Sequence, residues 1–390
     1  MESIRIALIY ELGPADDGSF LGGIESHILG LARQLASEHE VTLLTGMIPG
    51  ARRRAEMDGF TLVRSDALGL LSRSWNPTNL TNARQLFSIP AFAAEGLGVE
   101  ADIYHGHVYA SGIVALGLAK LRRKHSVNTI HGSYYDHWRE ITGSRWKSRA
   151  YQAAERALST LLARRCDRQI HTATDFAERV KAWSGSKEKI RVILNGVDTE
   201  RFSPDVRPSS PSGRPVVMTV RRLVPKNGVR YFVEARRHVS VDAQFVVVGD
   251  GPERLALEKQ ARDLGVSNGV RFAGPVPNDT LPSVLATADI VVVPSIVEAS
   301  SISLLEAMAM GKPCVVTNIP GIDEVASPDR SLMVPAADPR AIAQAVDLLL
   351  SDPSMRATLG RKGRQYVVSE RSQKIVAAQT LEVYKEALQR

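Results

Sequence analysis

The chain is expected to be α/β, with two Rossmann-like doubly wound domains facing each other across a cleft. Three observations lead there: a length of 390 residues, short apolar runs that alternate with helical patterns along all of it, and one polar interruption near the middle. At roughly 150 residues per domain the length suits two or three domains. A composition with 44% hydrophobic and 23% charged residues is that of an ordinary globular protein. Alternation of apolar runs with helical patterns is the signature of a parallel sheet covered by helices on both faces.

In the first half the expected strands are 5–10, 41–44, 103–105, 128–131, 169–172 and 191–194; in the second they are 216–220, 244–248, 270–272, 290–293 and 314–316. Between the halves, 203–214 (SPDVRPSSPSGR) holds three Pro, four Ser and one Gly, too little apolar matter to pack. The domains are therefore taken as 1–202 and 203–371. The stretch 372–388 is again helical in pattern, and its Ile375, Val376, Leu381, Val383 and Tyr384 need a surface to cover.

No apolar stretch approaches the roughly 20 residues that cross a bilayer. The opening MESIRIALIY reads as a buried strand rather than a signal peptide, so a cytoplasmic location is expected. Cys166 and Cys314 form neither a disulfide framework nor a four-ligand metal site and read as small core residues. The net charge of +7 is uneven: 120–168 carries twelve Lys/Arg against Asp136, Glu140, Glu155 and Asp167. With Trp138 and Trp146 among them, these cations suit an anionic lipid surface, giving peripheral association at the inner membrane face, or a polyanionic acceptor, or else a solvated helical face. No nucleic-acid recognition module is present, and no nucleic-acid partner is expected.

Ligands of open α/β sheets sit at the carboxyl ends of strands, so the loops there are where chemistry is sought. The first is glycine-rich, Gly18-Ser-Phe-Leu-Gly22-Gly23-Ile-Glu25, and opens a helix carrying Ile24, Ile28, Leu31 and Leu35 at helical spacing. Its glycines allow close backbone approach, and the helix start offers free amides to an anion. It is not a dinucleotide fingerprint, because the second strand ends Leu44-Thr45-Gly46 with no acid, and no Walker loop occurs anywhere.

Three strand-end segments of the second half combine. Arg221-Arg222-Leu-Val-Pro-Lys226-Asn227-Gly228 follows 216–220, and a guanidinium fork with an ammonium suits a diphosphate, so Arg222 and Lys226 are the candidates. After 290–293, Glu298 and Glu306 flank a turn of small residues. With a helix starting near Ser301, the amides of Ser300, Ser301 and Ile302 would meet phosphate, while one carboxylate takes sugar hydroxyls and the other a ribose. Gly249-Asp-Gly251-Pro and Gly274-Pro-Val276 supply turns that bring backbone to a nucleobase edge, though turn chemistry alone explains them equally well.

Taken in order, Gly22-Gly23-Ile-Glu25, Thr129-Ile-His131-Gly132, Asn195-Gly196-Val197-Asp198, Arg222-Leu223-Val224, Gly249-Asp250-Gly251-Pro252 and Glu298-x7-Glu306 resemble the retaining nucleotide-sugar glycosyltransferases of family 4, the group 1 glycosyl transferases. The likeness runs from about residue 4 to residue 370. It implies the GT-B form of the two-domain fold, with a donor site on the second domain, an acceptor site mostly on the first, and a final helix, 372–390, that crosses back onto the first. It also implies that Arg222 and Lys226 neutralise the departing diphosphate, that Glu298 holds the donor sugar and that Glu306 holds the ribose. Gly22, Gly23, Gly251, Val276, Ser300, Ser301 and Ile302 would contact the donor, and His131 would lie beside the reacting sugar. Glu25, His105 and His107 are candidates to line the acceptor cleft.

The chain departs from the family pattern in three places: Lys226-Asn227-Gly228 replaces Glu-Lys-Gly, Ala299-Ser300-Ser301 replaces the usual Gly-Phe-Gly, and Phe20-Leu21-Gly22-Gly23 replaces the Lys-x-Gly-Gly of the glucan synthases. No Asp-x-Asp occurs, so the transfer is expected to need neither metal nor cofactor, the nucleotide-diphospho-sugar being a substrate and a glycan or lipid-linked molecule the acceptor. A catalytically silent binding subunit and a nucleotide-sugar epimerase are the competing readings.

Overall fold

The computed structural model describes residues 3–16, 22–47, 50–65, 89, 92–209 and 213–389. The chain divides into two compact units, Met1–Leu194 with Lys374–Arg390, and Asn195–Gln373. Residues 195–202 thus belong with the second unit, eight residues earlier than the polar interruption suggests. Phe202 is buried in the second unit's core, and the Val197 amide donates to the Arg371 carbonyl at 2.9 Å, which a composition search cannot register.

In the first unit the described strands are β1 (Arg5–Ile9), β2 (Glu40–Gly46), β3 (Arg54–Met57), β4 (Phe60–Ser65), β5 (Ile103–His107), β6 (His125–Ile130), β7 (Arg168–His171) and β8 (Ile190–Val192). They form one sheet in the order β3-β4-β2-β1-β5-β6-β7-β8. Pairing is parallel except between β3 and β4, which periodicity alone passes over. That hairpin turns on Asp58-Gly59, both at positive φ (48° and 87°), as a two-residue type I′ turn requires.

The second unit holds β9 (Val216–Val220), β10 (Gln244–Val248), β11 (Val270–Gly274), β12 (Ile290–Val293), β13 (Cys314–Thr317) and β14 (Leu332–Val334), in the order β11-β10-β9-β12-β13-β14 and parallel throughout. Alternate residues serve opposite cores. Val216, Met218, Val291 and Val293 pack on one side with Leu304, Leu305 and Met308, while Val217, Phe245, Val247 and Val292 pack on the other with Phe232, Ile342 and Leu349. Burial on both faces is why these strands read as unbroken apolar runs.

The last helix, Gln373–Leu388, packs in the first unit: Val376, Ala377, Val383, Tyr384 and Ala387 are buried with Ile6, Leu8 and Leu31. In both sheets the strand order reverses beside the first strand, between β1 and β5 and between β9 and β12, which is where an open α/β sheet leaves a crevice for a ligand.

Candidate functional site

The crevice of the second unit lies at the ends of β9 and β12, and a single buried cation organises it. Arg221 is still tied to the sheet ladder, its amide donating to Val248 O at 2.9 Å, so its side chain is carried inward and only 7% of it is exposed. Its Nη1 donates to Ser301 Oγ and Ser303 Oγ, both at 3.0 Å, and its Nη2 to Ser295 Oγ at 2.6 Å, Asn227 Oδ1 at 3.0 Å and the Glu298 carboxylate. One guanidinium therefore joins the loop after β9, the loop after β12 and the start of the helix Ile302–Ala309. Burial alone would raise the Glu298 pKa, but the charges of Arg221 and Lys226, with hydrogen bonds from Arg221 and the Ala299 amide, hold it below the usual carboxylate range.

Ser301 caps that helix, its Oγ accepting from the Leu304 amide at 3.3 Å. The neighbouring Ser300 Oγ is enclosed and makes no hydrogen bond. Glu306 lies more than one turn inside the helix at 5% exposure, and burial lifts its pKa to about 8, the charge of Arg201 offsetting this only in part. Two glycines permit the close approach of these loops. A Cβ on Gly249 (φ 129°) would sit 2.0 Å from Arg221 O, and one on Gly228 (φ 64°) would sit 1.9 Å from Pro294 O. The Lys226 carbonyl adds a further tie, accepting from the amides of Ile296 and Val297 at 2.8 and 3.2 Å.

Of the expected donor-side residues, Glu298, Ser301, Ile302 and Glu306 are thus gathered on one loop and helix. Arg222 is exposed at the loop surface and Lys226 is half-buried, near enough to act on the Glu298 carboxylate. Gly251 abuts Leu223 O, and Val276 is half-buried against the core. The residue that sequence reasoning passed over is Arg221. The motif emphasised its neighbour, and the signal that singles out Arg221 is its ladder bond, which places it inside the sheet and Arg222 outside. Asn227, the departure from the family pattern, bridges the two: its Oδ1 accepts from Arg221 and its Nδ2 donates to Arg222 O at 2.7 Å.

In the first unit, Gly18–Leu21 of the glycine-rich loop lies outside the described residues. Gly22 is the N-cap and Gly23 the first residue of the helix Gly23–Ala36, and the buried Glu25 carboxylate fills the space a side chain at 22 would need. Sequence reasoning also missed Glu11, just past β1. Its buried carboxyl is pushed up to about 7 by burial first and, less strongly, by Glu25.

The expectation that His105 lines an acceptor cleft is corrected. His105 is fully buried, with Nδ1 2.7 Å from Tyr384 Oη and Nε2 2.7 Å from Thr129 Oγ1, so both ring nitrogens serve to fasten the last helix to the sheet. His107 is corrected likewise: it too is fully buried, and its Nδ1 meets His131 Nε2 at 2.9 Å. His107 is pinned by its surroundings. Asn128 Nδ2 donates to Gly106 O at 2.9 Å and Val108 O at 2.8 Å, and Val108 is held at φ 63°, a costly conformation for a β-branched residue. His131 follows β6 and is buried, at 9% exposure.

The chain is similar to known proteins along most of its length. A family model described as glycosyltransferase family 4 matches residues 21–201, and one described as glycosyl transferases group 1 matches residues 203–366. A GDP-mannose-dependent alpha-(1-6)-phosphatidylinositol monomannoside mannosyltransferase of Mycolicibacterium smegmatis is 29% identical over 372 residues, covering 89% of this chain and 90% of that protein. A D-inositol 3-phosphate glycosyltransferase of Corynebacterium urealyticum is 28% identical over 347 residues, 81% of this chain and 78% of that one. Among solved structures, a sucrose-phosphate synthase from Thermosynechococcus elongatus superposes with a TM-score of 0.82 at 22% identity over 98% of both chains, a likeness of fold.

Proposed function

The chain belongs to the family 4, group 1 glycosyltransferases, and on that footing we propose that it moves a hexosyl unit from a UDP- or GDP-sugar to a glycan or lipid-linked acceptor, retaining anomeric configuration and using no metal ion. The observation that carries this reading is the buried Arg221 junction, which sets Glu298, the Ser301 helix start and the Arg222–Lys226 loop at one crevice of the second unit.

Breaking the anomeric C–O bond leaves negative charge on the diphosphate and positive charge on the sugar ring. Arg222 and Lys226 take the phosphate charge, together with the amides at Ser300, Ser301 and Ile302, where the helix dipole contributes about half a positive charge. Glu298 accepts hydrogen bonds from donor-sugar hydroxyls through the lone pairs its Arg221 pairing leaves free. Glu306 holds the ribose, and Gly251 and Val276 border the base. In the first unit, Gly22 and Gly23 border donor and acceptor, and His131 supports the sugar as positive charge develops. The acceptor attacks the face the diphosphate leaves, and its proton passes to a departing phosphate oxygen.

The mannosyltransferase relative makes GDP-mannose the donor to try first. The exposed cations of the helix Arg145–Arg165, with the exposed Trp146, support a lipid-linked acceptor presented at an anionic surface. Incubation of the enzyme with UDP- and GDP-hexoses and lipid or glycan acceptors, followed by NMR assignment of the new linkage, tests the reading. A product with the donor's anomeric configuration is expected; an inverted product, or none with any donor that binds, overturns it.

A further inference from the structure

The crevice at the switch point of the first unit holds a cluster of three histidines, of which the proposed transfer uses only His131. His27 comes from the helix Gly23–Ala36, His107 from the end of β5, and His131 from the loop after β6. We propose that these three imidazoles form a binding site for a divalent first-row transition metal, with zinc as the fitting probe and solvent as the fourth ligand.

One nitrogen from each ring lies within 4.8 Å of the other two, and all three residues are buried. His27 meets His131 edge-on with centroids 4.7 Å apart, and His107 stacks beside His131 at 5.1 Å. Tetrahedral Zn–N bonds of about 2.0–2.1 Å place ligand nitrogens roughly 3.3 Å apart. The 2.9 Å between His107 Nδ1 and His131 Nε2 must therefore open slightly and the wider separations close, adjustments that small ring rotations supply.

Several features favour an ion here. His107 Nε2 is enclosed with no hydrogen-bond partner, so the cluster is polar where a packed core would be satisfied. Strain at Val108 and the two Asn128 bonds hold His107 in place ahead of any ligand. His27 and His131 keep 6% and 9% exposure, giving an ion a path from solvent.

A metal here would occupy a His131 nitrogen, so inhibition of transfer by zinc is also expected; that consequence, unlike the site itself, rests on the function proposed above. The test uses tag-free full-length protein, stripped with chelator and dialysed against zinc, with bound metal counted by mass spectrometry. One zinc per chain is expected, falling at least tenfold in His27→Gln and in His107→Gln, with folding of each variant checked by circular dichroism and by stabilisation with UDP or GDP. Cobalt added to the wild-type chain should give the intense visible bands of four-coordinate imidazole ligation, a readout that needs no variant. Zinc uptake unchanged in both folded variants, or cobalt spectra of the weak aquo type, would overturn the site. Stoichiometric zinc without inhibition would uphold the site and count instead against a role for His131 in transfer.

Discussion

Arg221 and Glu298 are almost wholly withdrawn from water, and neither charge is tolerable there without the other. Arg221→Ala would strand the carboxylate along with the hydroxyls of Ser295, Ser301 and Ser303. A loss of about 3–5 kcal/mol is expected, visible as a fall in Tm on the order of 10 °C by calorimetry. Arg222→Ala, one residue away but exposed, should leave Tm within a degree or two and act on turnover instead. Glu306 gives a pH test. Its folded pKa of about 8 exceeds its unfolded value near 4.5, so the native state binds the extra proton and stability falls as pH rises between those values. Against that slope of at most about 1.4 kcal/mol per pH unit, Glu306→Gln should become progressively more stable relative to the wild type from pH 5 to pH 8 in urea titrations. The placement of Glu298 and Glu306 on either side of a helix start was legible in the sequence, and the helix does begin at Ile302 with Ser301 as its cap. The division of labour between Arg221 and Arg222 was not, because two adjacent arginines differ only in which is held by the sheet.

Strands buried on both faces announce themselves as apolar runs, and β9, β10 and β12 stand where the sequence places them. What escaped were elements whose stability comes from their neighbours. β3 (RAEM) is polar and exists because Asp58-Gly59 folds it against β4, while β14 is three residues long and leans on β13. The histidines at the end of β5 looked like cleft residues because strand ends usually are; only packing shows that His105 is spent on Tyr384. Tyr384→Phe removes that partner from a buried imidazole. A cost of about 1–3 kcal/mol is expected in chemical denaturation, together with earlier protease cleavage near the last helix.

The two units have separate cores, and Gln373–Leu388 completes the first although it follows the second in sequence. A chain ending at residue 373 is accordingly expected to lose the first unit's unfolding transition while keeping stabilisation of the second by UDP or GDP, a pattern that differential scanning calorimetry resolves. The proposed function has the second unit's cations and peptide dipoles take the charge of the departing diphosphate. The most direct measurement is the steady-state turnover of the donor, in excess chelator, by the wild-type chain and by Arg222→Ala. Wild-type turnover should persist in chelator and fall by about 10²- to 10³-fold in the variant, the usual effect of losing one preorganised charge donor. Turnover abolished by chelator and restored by magnesium or manganese, or an Arg222→Ala enzyme as fast as the wild type, would contradict it.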